Sequence, residues 1–145
     1  MNIERFEDLE IWQSARLLSK LIWQFTKSDE FNRDFRFRDQ IRSSSGSVMD
    51  NIAEGFGRGG NKEFINFLLI AKGSNEETRS QLYRAFDYEY ISKSNFDEAH
   101  ELADKIARKI NSLITYLKSS EIKGNRYKAS EDYHNIYIPR NLSEE

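Results

Sequence analysis

The chain has 145 residues, 38% hydrophobic and 32% charged, a balance typical of one folded, mostly helical domain with a modest core. It has no cysteine, which excludes disulfides, zinc–thiolate sites and thiol nucleophiles. The formal charge of −2 is spread evenly along the chain, and no segment has the basic excess of a dedicated nucleic-acid binder.

The opening "MNIERFEDLEIW" lacks a basic region followed by an apolar run, so it is no secretory signal. No apolar run approaches the roughly 20 residues of a membrane-spanning helix. A cytoplasmic protein with no membrane partner is expected. The single proline, Pro139, lies near the C-terminus, and nothing before it forbids long helices.

Four helices follow from periodicity. In the first, Ile11, Ala15, Leu18, Ile22 and Phe25 recur at alternating spacings of four and three, with Trp12 and Leu21 widening the stripe. "TKSDEFNRD" reads as a polar connection. A second helix runs from about Asp34 to Phe56, marked by Phe37, Ile41, Val48, Ile52 and Phe56. Its middle, Ser43 to Ser47, is small and polar. "GRGG" ends it, because glycine reaches the left-handed conformation favoured at helix C-termini.

Asn61 reads as the N-cap of a third helix reaching about Tyr88, with Glu63 near the positive end of its dipole. Phe64, Leu68, Ala71, Thr78, Leu82 and Ala85 share one face, and Gly73 to Asn75 form another small-polar middle. "SNFD", Ser94 to Asp97, reads as a capping box opening the fourth helix. There Phe96, Ala99, Ala103, Ile106, Ile110, Leu113 and Leu117 follow at spacings of three and four, the cleanest stripe in the chain.

Four such helices, each about 30–40 Å long, joined by short connections, predict an all-α, antiparallel up-down-up-down four-helix bundle over residues 1–118. Residues 119–145 form a separate tail. Its Tyr127, Tyr133, Ile136, Tyr137 and Ile138 read either as an extended arm docking on this bundle or a neighbouring subunit, or as a disordered end.

The residues offer little chemistry. His100 stands on a helix whose apolar stripe is already assigned, and His134 lies among the tail tyrosines. Neither has a neighbour that makes a catalytic dyad persuasive. No Glu-x-x-His occurs, so a di-metal bundle centre is not expected, nor any other metal or cofactor site. "GFGRGGNKEF" resembles a phosphate-cradling loop only superficially, since Asn61 and Lys62 stand where a Walker A loop has Lys and Ser/Thr.

A structural joint explains that segment better. Joined by a turn near residue 58, the two small-polar middles face one another across an antiparallel pair, where hydroxyls and amides can satisfy each other. Asn51, Glu54 and Arg58 then fall on one side of the second helix and read as a network with the next, for instance through Lys62 or Glu63.

"QIRSSSGSVMDNIAEGFGRGGNKEFINFLLIAKGSNEETRSQL", Gln40 to Leu82, resembles the signature of the 23S rRNA intervening-sequence proteins. "FEDLEIWQSA", Phe6 to Ala15, is similar to their first helix, and the likeness covers about residues 6–118. Within it Asn51, Glu54, Gly55 and Arg58 form the specific motif, read as structural. The family's Ser-Ile-Pro-Ser stretch appears here as "SVMD", with Met49 in place of the proline.

The resemblance implies a small helical bundle assembling into a ring, with homopentamers seen among relatives. Many members are encoded within sequences that interrupt large ribosomal RNA genes. A related group assists a reverse transcriptase in diversity-generating retroelements and binds nucleic acid through basic surfaces.

The expectation is therefore a non-enzymatic homo-oligomer, a pentameric ring by resemblance, associated with ribosomal RNA or another nucleic acid. Arg33, Arg36, Arg38 and Arg42, with Phe35 and Phe37 among them, are the candidate contacts. The alternative is an adaptor module that binds a protein partner. Ile65, Phe67, Leu69 and Ile70 surround the third helix, and a helix apolar on several sides is buried on several sides. Ile65, Phe67 and Ile70 are accordingly candidates for a subunit interface.

Overall fold

Phe6–Asp8 form one 3-10 turn, after which α1 runs Glu10–Phe25 with Ile11, Ala15, Leu18 and Ile22 buried. The computed structural model describes residues 3–120. The predicted arm beyond Ser120, with His134 and the tail tyrosines, lies outside the described residues. α3, Phe35–Gly57, α4, Asn61–Asp87, and α5, Lys93–Ser120, are the other three long helices. α1 packs on α3 and α5, α4 also packs on α3 and α5, and α1 and α4 stand at opposite corners of the bundle. Among the described residues the fold is all-helical.

The first connection is less simple than its polar composition implies. It contains a five-residue helix, α2, Asp29–Arg33, whose Phe31 is buried. The Phe31 ring meets Phe37 at 5.2 Å and Tyr90 at 4.9 Å, closing this end of the core. Asp34 caps α3 by accepting from the Phe37 amide, and its other oxygen accepts from the Tyr90 hydroxyl at 2.9 Å. That hydrogen bond to a carboxylate raises the Tyr90 phenol above its ordinary value of 10.0, with burial and the carboxylate's charge adding to it.

Two helix starts differ from the sequence reading. Gly60, in extended conformation, is the N-cap of α4. Asn61 is already helical, and its side-chain amide reaches across to Ser120 Oγ at 3.2 Å. The α5 cap is Ser92, whose Oγ accepts from the Asn95 amide at 3.0 Å, two residues before the predicted box. Asp97 pairs with Lys93 instead.

The helix ends follow known capping geometry. Gly59, at φ 98°, supplies the left-handed residue after α3. After α4 the amides of Glu89 and Tyr90 return to the carbonyls of Phe86 and Ala85, a Schellman motif with Glu89 at φ 61°. α5 buries the whole predicted stripe and adds Ala107 and Ile114. Near its middle Lys109 meets Glu10, a buried carboxylate at the start of α1 that also lies 4.0 Å from Lys105. Burial lowers the Lys109 ammonium below its ordinary value.

α3 and α4 approach each other closely at Gly55. A Cβ added at Gly55 would sit 2.5 Å from Phe67 Cβ and 3.2 Å from the Phe64 ring. One at Gly46, nine residues earlier, would meet nothing within 4 Å. Gly55→Ala should therefore cost about 1–3 kcal/mol by overpacking. Gly46→Ala should stabilise by about 0.4–1 kcal/mol, since only the helix-breaking effect of glycine is removed. Urea unfolding of both variants checks the pair, and equal effects of one sign would contradict the assignment.

Candidate interaction surfaces

The small-polar middles of α3 and α4 meet as antiparallel partners. Ser44 Oγ donates to Gln81 Oε1 at 2.6 Å and lies 2.9 Å from Thr78 Oγ1, all three residues buried. One turn on, Ser74 Oγ donates to Ser47 Oγ at 2.9 Å, and Asn51 Nδ2 donates to the Ser47 carbonyl at 2.8 Å. Asn75, fully buried, donates to the Ala103 carbonyl of α5 at 2.8 Å. Such a seam fixes the register of three helices, because sliding any of them would orphan buried polar groups.

The motif residues divide between local jobs. Asn51 turns back to Ser47, and Gly55 admits Phe67. Arg58 pairs with Glu54 one turn earlier at 2.9 Å and lies 5.2 Å from the Phe67 ring centre. Those contacts run within α3 and to Phe67, rather than to Lys62 or Glu63. Both Glu54 and Arg58 are about half exposed, so their ion pair adds little stability.

The four arginines do not form one patch. Arg33 and Arg36 are exposed. Arg38 donates to the Asn32 carbonyl and side chain at 3.1 and 3.0 Å, to Asp39 at 3.0 Å, and covers the Phe35 ring. Arg42 donates to the buried Thr26 Oγ1 at 2.8 Å and stacks on Trp23 at 4.0 Å. Positions 36 and 38 lie about 200° apart around a helix, so their side chains diverge. Phe35 is 65% exposed, at one end of a groove between α3 and α4. That groove sets Arg36 among Asp39, Glu77 and serines 43, 47 and 74. Phe37 is core, with the Arg84 guanidinium 4.3 Å from its ring centre.

The candidate interface residues separate too. Ile65, one of the three candidates, is buried in this chain's own core. It shares a face with Leu68, one turn on, which is also buried. Phe67 is half-buried against Gly55. Ile70 is 52% exposed, and its neighbour Leu69 51%.

Near the far end of α4, Tyr83, Phe86 and Tyr88 are also exposed. His100 packs 5.3 Å from Tyr83 and stacks on Phe96 at 5.2 Å, an aromatic setting. Among the described residues no group of three or more His, Asp or Glu side chains could hold a metal ion, and no helix is long and apolar enough to cross a membrane.

The family described as 23S rRNA-intervening sequence protein matches residues 7–112, which spans the described bundle almost from end to end. The chain belongs to that family. Its fold is similar to the crystal structure of a protein of unknown function from the S23 ribosomal protein family of Bacteroides thetaiotaomicron VPI-5482. The two are 23% identical with a TM-score of 0.66, covering 72% of this chain and 97% of the other. Nothing among curated proteins matches the chain.

Within this family member the seam gives a direct test of structural use. Ser44→Ala would leave Gln81 Oε1 buried without its closest donor, at a cost of about 1–3 kcal/mol. A denaturant midpoint unchanged from the wild type would contradict the seam's role in holding α3 on α4.

Proposed function

We propose that the protein is a non-enzymatic, self-assembling helical bundle that works in the cytoplasm as a homo-oligomer and associates with ribosomal RNA. Five copies in a ring is the number the family resemblance implies. The observation that carries assembly is the outer face of α4, where Leu69 and Ile70 stand about half exposed beside the fully buried Leu68. Apolar side chains in such a position favour a partner over water.

Support for RNA is the family description, together with exposed Arg33 and Arg36 on either side of the exposed Phe35 ring. Cations contact phosphate, and the side of the Phe35 ring away from Arg38 offers a stacking surface. One chain supplies few free cations, and a ring multiplies them by repeating the same end of the bundle. The second reading, a protein-binding adaptor, is favoured by Tyr83, Phe86 and Tyr88, since exposed aromatics beside balanced charge suit protein interfaces.

Size-exclusion chromatography with light scattering, read at 260 and 280 nm, tests this reading. The expected result is an oligomer carrying excess 260 nm absorbance that falls steeply between about 50 and 200 mM salt. Joint replacement of Arg33 and Arg36 by glutamate should abolish the 260 nm excess and leave the mass unchanged. A clean oligomer at low salt would favour the adaptor reading. A monomer would overturn assembly.

A further inference from the structure

The apolar residues left on the surface are not confined to α4. On α1, at the opposite corner of the bundle, Leu17 and Trp23 are each 49% exposed. They share an outward face with Gln13, Arg16, Lys20 and Gln24, all exposed. The only acidic residue in α1 is Glu10, which is buried against Lys109, so the ionisable groups of this face are all cations, lying between Leu17 at one edge and Trp23 at the other.

The outer face of α4 has the reverse character. Between Asn66 and Glu77 its exposed residues include Leu69 and Ile70, and its exposed ionisable groups are Glu76 and Glu77. Lys72 is half-buried, and so is Arg79, which is held by Glu76 and Asp104. Gly73 lies one turn beyond Leu69 and Ile70, with open space where a Cβ would stand. That leaves a notch beside the two apolar side chains, able to admit a bulky residue from another molecule.

The geometry points to a head-to-tail interface in which the α1 face of one copy, edged by Leu17 and Trp23, seats on the α4 face of the next, around Leu69, Ile70 and Gly73. This rests on the assembly reading above and names the surfaces that make it. The two patches differ in charge, Arg16 and Lys20 on one against Glu76 and Glu77 on the other, and they belong to different helices on opposite sides of one chain. A patch that pairs with itself gives a two-fold dimer, whereas two unlike patches give a chain of contacts that closes into a ring or runs on as a filament.

RNA fits the α1 face less well. Leu17 at its edge offers nothing to a phosphate backbone, and one side of the Trp23 ring is already covered by Arg42.

Complementation tests the pairing. Leu17→Glu spoils the α1 face and leaves α4 intact, and Ile70→Glu does the converse. Each nuclease-treated variant should run at the 17.1 kDa monomer mass with wild-type helical circular dichroism. Mixed in equal amounts they should form a species of twice that mass and no larger, because one native junction is restored and the other sets two carboxylates together. Should Leu17→Glu lose its helical signal, Leu17→Ser takes its place with the same expectations.

A monomeric wild type overturns the assembly reading and this pairing with it. A wild type that assembles, alongside a Leu17→Glu variant that still does, overturns the pairing alone. Two monomers that fail to combine also overturn it, since an intact α1 face and an intact α4 face are then both present and do not join. Assembly that collapses on nuclease treatment of the wild type overturns it as well, assigning the cationic face to RNA.

Discussion

The approach of α3 to α4 at Gly55 is the constraint on which the rest of the bundle depends. Only a residue without a side chain lets Phe67 come so near the α3 backbone. Once those backbones are close, the helices run side by side at a separation that larger residues would prevent. The seam of Ser44, Ser47, Ser74 and Thr78 exists because of it, since hydroxyl groups reach one another directly only across a narrow gap. Glycine at 59 then reverses the chain in the few residues available. In this chain Gly55 and Gly59 thus join α3 to α4.

From this pair outward, the two other long helices are held by conventional means. α5 contributes a broad apolar stripe to the core, tied to α4 by Asn75 and to α1 through the buried Glu10–Lys109 pair. α1 is held against α3 by its stripe and, at one end, by Arg42 bridging Thr26 and Trp23. The charged groups most useful to a nucleic-acid binder are thus partly committed to the fold. Arg33 and Arg36 stay exposed, and half-exposed apolar side chains stand on the outer faces of α1 and α4.

Much of the fold is legible in the sequence because long amphipathic helices write a strong periodic signal. The α5 stripe is an example: spacings of three and four from Phe96 to Leu117 leave one reading, and every one of those residues is buried. The facing of the two small-polar middles is also legible, since a turn near residue 58 and helical rise alone bring them together. α2 is not: five residues cannot display a period, and Phe31 stands alone among polar neighbours. The helix starts at Gly60 and Ser92 escaped because Asn61 and Ser94 are equally good caps by residue type, and only tertiary contacts decide between neighbours.

The candidate surfaces were less legible for the same reason. Nothing local tells Arg36, which stays free, from Arg42, whose partners Thr26 and Trp23 come from another helix. Ile65 and Ile70 are the same residue type five positions apart, and only the phase of α4 against its neighbours makes one core and the other surface. Gly55 could be recognised as part of a motif, but its reason is Phe67, twelve residues downstream.

Native-state hydrogen exchange on the amides of α3 and α4 tests the central claim most directly. If the polar seam organises the bundle, amides from Ser44 to Ile52 and from Ala71 to Leu82 exchange only through global unfolding, as slowly as those under the α5 stripe. Faster exchange there than in α5, through an opening that leaves α5 protected, would show that apolar burial alone holds the fold and would contradict the account.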